Sequence, residues 1–266
     1  MRYFEFRRKR EERRQRLFFR QKLVMFLMAL TLFITMFVFI QREEKYQEII
    51  HQITDQGLAG RILDDPFALG ADQETTVSVL FCDIRGFTAI MNELGIQDSI
   101  DFINEHMTAL SKAVYDHGGV IDKFNGDRLM VVFGHEANAC QSVQRAAQCA
   151  LDMVEIRRHL NMLSGMPVRI GLGLATGPAI AGYVGAPNRK NYTVLGNCVN
   201  VAAILCDIST SEQILIDRQT AAILGDTINF ESLTPFTIDG IDDPIEVLQL
   251  QSFTGECPHE FDSDEA

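Results

Sequence analysis

The longest apolar run in the chain is Leu23 to Ile40, LVMFLMALTLFITMFVFI, eighteen residues without a charge, Gly or Pro. As a helix it would extend about 27 Å, near the roughly 30 Å hydrocarbon thickness of a bilayer. The pattern predicts one membrane span. The run ends FVFIQREEK, with no small-residue cleavage pattern, which argues against a signal peptide. After it the apolar period changes. Tyr46, Ile49, Ile50 and Ile53 fall at i, i+3, i+4 and i+7, a one-sided helical stripe suited to a dimerising connector. Gly57, Gly60 and Asp65-Pro66 break it.

The rest of the chain alternates short apolar runs with amphipathic ones. Residues 76–82 read as a strand. Residues 98–116 have helical periodicity, with Ile100, Ile103, Met107 and Leu110 on one face. Residues 120–123 and 128–133 flank Asn125-Gly126-Asp127, a hairpin signal. A long helix is predicted over 138–163, with Asn138 as its cap. Residues 168–175 and 179–184 flank Thr176-Gly177-Pro178, which reads as a second turn. A helix over 197–209 and short strands over 213–216, 233–238 and 246–250 complete the pattern. Mixed helices and hairpins predict an α+β fold with a largely antiparallel sheet.

Charge divides the chain unevenly. Residues 1–22 hold ten Arg or Lys and three Glu, a net +7, against −12 for the whole chain, which leaves −19 on the remainder. An acidic body argues against nucleic acid as a partner, because neutralising phosphates needs a basic face. The six cysteines form no CxxC pair and no zinc-ligand spacing, so most read as small core hydrophobes in a reducing compartment. The expected organisation is a basic tail (1–22), a transmembrane helix (23–40), a connector helix and linker (41–70), a folded domain (72–251) and an acidic C-terminal tail (252–266).

Two acidic residues stand out within the domain. Asp83 ends the first strand in FCDIRGFT, and Asp127 sits in the turn of DKFNGDRLMVVF. Carboxylates at a strand end and in a neighbouring tight turn can converge on one hard cation that holds nucleotide phosphates. Acidic residues in turns are ordinary, so the pair alone is a weak signal.

The words around them carry more. VSVLFCDIRGFTAI, GGVIDKFNGDRLMVVF, VRIGLGLATGPAIAGYVG and NYTVLGNCVNVAA occur in that order. Together they closely resemble the catalytic domain of class III nucleotidyl cyclases, the adenylate and guanylate cyclases, in a bacterial membrane-anchored form. The resemblance runs from about residue 72 to 251. It implies a ferredoxin-like fold related to the polymerase palm, working as a dimer with active sites at the subunit interface. It also implies two Mg²⁺ or Mn²⁺ ions per active site, held by Asp83, Asp127 and the Ile84 carbonyl. One ion lowers the pKa of the ATP 3′-hydroxyl and the other binds phosphates. The 3′-oxygen then attacks the α-phosphate, and pyrophosphate leaves.

By the same resemblance, Lys123 and Thr193 take the two base-selecting positions, and Asn200 takes that of the asparagine that orients the ribose. Adenine offers an acceptor at N1 and a donor at N6, which a lysine and a threonine hydroxyl can match. Two positions depart from the family. The pattern VN-x-A-x-R reads here Val199-Asn200-Val201-Ala202-Ala203-Ile204, so Ile204 replaces the arginine that stabilises charge on the α-phosphate. Asp239, in FTIDG, stands where a triphosphate-binding lysine belongs. Losing one oxyanion donor typically costs ~10²–10³ in rate. Arg189, Lys190 and Arg218 are nearby cations.

The implied activity is adenylate cyclase, making cyclic AMP from ATP, with slow turnover. The partners are ATP, the lipid bilayer and a second copy of the chain or another cyclase chain. One alternative is a degenerate cyclase domain that binds nucleotide or dimerises as a regulator. Another is a guanylate cyclase, against which Lys123 counts. The location is the cell membrane, single-pass, with a cytoplasmic domain that can reach ATP. Arg7-Arg8-Lys9-Arg10 ahead of the span favour the opposite orientation under the positive-inside rule.

Overall fold

A computed structural model describes residues 22, 25, 28, 30–42, 74–134, 139–186, 189–237 and 244–254. The chain divides into two compact units, Met1–Ala59 and Gly60–Ala266. In the first, Lys22, Met25, Met28 and residues 30–42 are helical. The Thr31 and Thr35 hydroxyls donate to the carbonyls of Met28 and Leu32, which keeps both polar groups paired within the apolar run. Among the described residues no helix is long and apolar enough to cross a membrane. The connector stripe at Tyr46, Ile49, Ile50 and Ile53, the Asn138 cap, Asp239 and the acidic tail beyond residue 254 lie outside the described residues, and residues 252–253 of the expected tail belong to the last strand.

The second unit is α+β. Its strands are β1 (Glu74–Arg85), β2 (Val120–Asn125), β3 (Arg128–Phe133), β4 (Arg169–Ala186), β5 (Arg189–Leu195), β6 (Ile214–Asp217), β7 (Ile228–Ser232) and β8 (Val247–Phe253). Its helices are α1 (Phe87–Leu94), α2 (Ile96–Asp116), α3 (Ala139–Ser164), α4 (Asn197–Ile208) and α5 (Arg218–Leu224). The strands form one sheet in the order β2-β3-β1-β4-β6-β8-β7, with β5 folded back on β4. Pairing is antiparallel except between β4 and β6.

Side-chain alternation splits the interior into two cores. On β1, Leu80, Cys82 and Ile84 pack with α2 and α3 through Met107, Leu110, Val143 and Met153. Val77, Val79 and Phe81 face the other way and pack with α4 through Cys198, Val201, Ala202 and Leu205. Strand β4 divides likewise: Ile170, Leu172 and Leu174 join the α2/α3 core, whereas Gly171, Gly173 and Ala175 alternate with them. A Cβ on Gly173 would collide with the Cys206 nitrogen and the Ala202 carbonyl of α4. The helix therefore lies directly on strand backbone. Gly173→Ala should lower stability by about 3 kcal/mol, read as a fall in thermal melting temperature, because the obstructing atoms are backbone and cannot rotate away.

Two predicted elements differ from the sequence expectation, and β5, β7, α1 and α5 were not expected. Strand β4 runs unbroken through Thr176-Gly177-Pro178, which pairs with Ser78, Val77 and Thr76. The pairing with β6 ends at Leu174 and that with β5 begins at Ile180, so Pro178 lies where β4 has no strand on its second side. Inside the sheet Thr176 is held by a buried hydroxyl chain, Ser78 to Thr176 at 3.0 Å and Thr220 to Thr176 at 2.9 Å. The predicted strand over 233–238 is instead a single bridge, Phe236 to Ile245. Pro235, which lacks an N–H, interrupts it. Ile100 is exposed rather than packed with its predicted stripe.

His106 is buried between α2 and α3, with Arg157 Nη1 3.2 Å from its Nδ1. Arginine can only donate, so His106 accepts there and is neutral. Burial, then the Arg157 charge, lowers its pKa to about 3. In the unfolded chain the imidazole takes up a proton near pH ~6.5. As pH falls from there toward about 3, protons bind only the unfolded form, and this group removes about 1.4 kcal/mol of stability per pH unit. His106→Gln keeps an acceptor for Arg157 but does not titrate. Chemical denaturation at pH 7 and pH 5 should show a shallower acid loss in that variant.

Candidate active site

Asp83 lies near the end of β1, directly opposite Arg128 at the start of β3. Asp127 occupies the two-residue turn before Arg128, made possible by Gly126 at φ 66°. The two acidic residues are thus brought to adjacent strand ends. Burial and the nearby Asp83 charge hold the Asp127 carboxyl above its ordinary pKa. Two carboxylates that repel each other in a partly buried position fit an oxygen-ligand divalent cation between them. Among the described residues, no group of three or more His, Cys, Asp or Glu gathers in this way. The ladder between β1 and β3 stops at Asp83, leaving the Ile84 backbone beyond it without a β3 partner, while the Ile84 side chain is buried in the α2/α3 core.

Two guanidinium groups face the Asp83 carboxylate. Arg85 Nη1 is 3.4 Å from Oδ2, and Arg128 Nε is 3.6 Å from Oδ1. Arg85 also donates to the Cys206 carbonyl at 2.6 Å, near the C-terminal end of α4, where a cation is favoured. Arg128 is shared with Asp207 of α4. It therefore has a second carboxylate to hold whenever Asp83 is engaged elsewhere. None of Arg85, Arg128 or Asp207 was among the sequence candidates. Arg85 follows Asp83 by two residues in a strand, a spacing that puts both on one face and could have signalled it.

The base-selecting candidates form a separate cluster. Lys123 Nζ donates to the Thr193 hydroxyl at 3.2 Å, bringing together residues seventy positions apart on β2 and β5. Asp122, also missed from sequence, accepts from Thr193 at 2.9 Å and pairs with Lys123 at 3.1 Å. Asp122 is almost fully buried, while Lys123 is half exposed. This cluster and the Asp83 cluster share no partner residue.

Asn200 is exposed in the first turn of α4, and Ile204 follows it by one turn on the same face, half-buried. Arg218 is paired with Glu246 at 2.6 Å. Arg189 and Lys190 lie on β5, opposite Ala186 and Gly185.

The family described as adenylate and guanylate cyclase catalytic domain matches residues 69–252. An adenylate cyclase of Mycobacterium tuberculosis is 32% identical over 183 residues, covering 69% of this chain and 41% of that protein. The terminal-differentiation-specific adenylate cyclase of Dictyostelium discoideum is 31% identical over 179 residues, covering 66% of this chain and 8% of the other. The chain thus spans less than half the length of these curated relatives. Among solved structures, the adenylyl cyclase CyaB from P. aeruginosa superposes with a TM-score of 0.64 at 31% identity, over 68% of this chain and 95% of the other. The guanylyl cyclase Cya2 superposes with a TM-score of 0.61 at 26% identity, over 69% and 95%. With four sequence words, the sheet that orders them and a match reaching into all eight strands, the chain belongs to the adenylate and guanylate cyclase catalytic-domain family.

Proposed function

We propose that this protein is a membrane-anchored adenylate cyclase, converting ATP to cyclic AMP and pyrophosphate at sites shared between two copies of the chain. The observation that carries the reading is the 3.2 Å bond between Lys123 and Thr193. It assembles a donor and an acceptor suited to the N1 and N6 edge of adenine. Asn200 orients the ribose so that the 3′-hydroxyl faces the α-phosphate, and attack there releases pyrophosphate. Asp83 and Asp127 would hold Mg²⁺ or Mn²⁺, which when bound would supply positive charge to the reacting nucleotide. The separation of the Asp83 cluster from the Lys123 cluster supports a site completed by a second copy, each copy lending one half. Ile180, Tyr183, Val184 and Leu195, exposed on the β4–β5 hairpin, offer apolar surface for that contact.

Membrane anchoring rests on the run 23–40, whose described side chains from Leu30 to Ile40 are all exposed around an apolar helix. The cyclase domain would lie on the cytoplasmic side, with ATP. The test is production of cyclic AMP and cyclic GMP by the purified full chain in detergent, with ATP or GTP and Mg²⁺ or Mn²⁺. Cyclic AMP formed in preference to cyclic GMP is expected. A nucleotide-binding regulator is the second reading, favoured by the aliphatic Ile204 in place of a transition-state cation. Nucleotide binding without either product would establish it.

A further inference from the structure

Adjacent residues of a regular strand point to opposite faces. Asp122 and Lys123 nevertheless both reach Thr193. The ladder explains how: Ile121 pairs with Val131 and Lys123 with Met130, so Asp122 is an extra residue in a β-bulge. A bulge re-aims side chains at the cost of a ladder position. Here it sets a carboxylate and an ammonium on the same hydroxyl.

The consequence follows from counting protons. A hydroxyl has one hydrogen and two lone pairs, a lysine ammonium has three hydrogens and no lone pair, and a carboxylate only accepts. Thr193 must therefore donate its single proton to Asp122 and accept from Lys123. One lone pair of Thr193 is left. Lys123 gives one hydrogen to Asp122 and one to Thr193, and one is left. The cluster presents one acceptor and one donor of fixed polarity. Thr193 is buried, so bulk water does not scramble that polarity. Adenine, with N1 accepting and N6 donating, matches it. Guanine, with N1 donating and O6 accepting, meets it reversed.

We propose that Asp122 is a positioning residue that sets base selectivity by holding the Thr193 hydroxyl in its acceptor orientation. This rests on the reading of Lys123 and Thr193 as the base-contacting pair. Freed from Asp122, the Thr193 hydroxyl can rotate and donate to guanine O6.

The test is competition binding to the full chain in detergent. ATP and GTP each displace an ATP analogue carrying a fluorophore on the ribose. The readout is the ratio of the two dissociation constants in wild type, Asp122→Leu, Thr193→Val and the double variant, with folding checked by circular dichroism. Wild type should prefer ATP, and Asp122→Leu, which leaves no acceptor for the Thr193 proton, should shrink that preference on the order of tenfold. In the Thr193→Val background the same change should do nothing, because no hydroxyl remains to orient. If Asp122→Leu does not fold, Asp122→Ala, which also leaves no acceptor for the Thr193 proton, takes its place. A wild-type preference for ATP that survives loss of Asp122 would overturn the inference alone. So would a fall equally large in the Thr193→Val background. A wild type that binds neither nucleotide, or prefers GTP, would overturn the base-pair reading and the inference together.

Discussion

Asp127→Asn should cut cyclic AMP formation by at least about 10²–10³-fold while leaving the folded protein as stable as wild type, or more so. The two effects have one origin. Burial and the neighbouring Asp83 charge disfavour ionised Asp127 in the folded chain, so its carboxyl sits above the usual value. At neutral pH the ionised group therefore works against folding, and an uncharged isostere relieves it. The same crowding of negative charge is what a divalent cation would neutralise. Asp83→Asn should lose activity to a similar degree but behave differently in a thermal melt. Its carboxylate is paired with Arg85 and Arg128, and removing it leaves two part-buried guanidinium groups without that partner. Assays of cyclic AMP, Mn²⁺ binding by the full chain and melting curves for both variants check all three points. Full activity in both would show that these carboxylates do not hold the cation.

Ile204→Arg combined with Asp239→Lys should raise kcat by roughly 10–10³-fold, with a much smaller change in KM. Ile204 lies one turn beyond Asn200 on the same face of α4, half-buried. An arginine there would project beside the residue proposed to orient the ribose. Positive charge at that place meets charge that develops only as the 3′-oxygen attacks, and such a contact acts on kcat rather than on ground-state binding. Arginines that serve phosphoryl transfer in other enzymes contribute ~10³–10⁵. A gain smaller than that is expected here because the surrounding groups are adapted to isoleucine. Steady-state kinetics of cyclic AMP formation decide the matter. Robust wild-type turnover, unchanged in the double variant, would mean another cation already fills the place, with Arg189 and Lys190 the first to examine.

Most of the sheet was legible because its strands alternate cleanly and because Gly126 marks the β2–β3 turn. The continuity of β4 was not. Gly-Pro punctuation normally ends a strand, and only the pairing with β1 shows that Pro178 sits where its missing N–H interrupts no second ladder. Helices α1 and α5 were missed because each is short. The first follows Gly86, which makes no side-chain cap, and the second is announced only by Asp217 capping the Thr220 N–H. At the candidate site, Asp83 and Asp127 stood out at a strand end and a turn, Lys123 and Thr193 were picked out by resemblance, and the four lie in the structure as two pairs. Arg128 and Asp207 were hidden because their pairing joins a strand to a helix seventy-nine residues on. Asp122 was hidden by the bulge, since strand alternation would have sent it to the opposite face from Lys123.

Both cores carry stability, and under the proposed function the charged residues of the chemistry gather on the α4 side of the sheet. Asp83, Arg85 and Arg128 reach toward α4, while the α2/α3 side holds the large aliphatic residues and the His106–Arg157 pair. Sequence drift in α2 and α3 should therefore appear in a cell as a change in how much protein accumulates, with the nucleotide and metal concentrations of the proposed activity left alone. Drift at the exposed polar positions of α4, Asn200 and Asp207, should do the reverse, altering what the proposed activity requires at constant abundance. A collection of natural or random variants sorted by those two readouts would separate the buried positions of both cores from the exposed polar edge of α4.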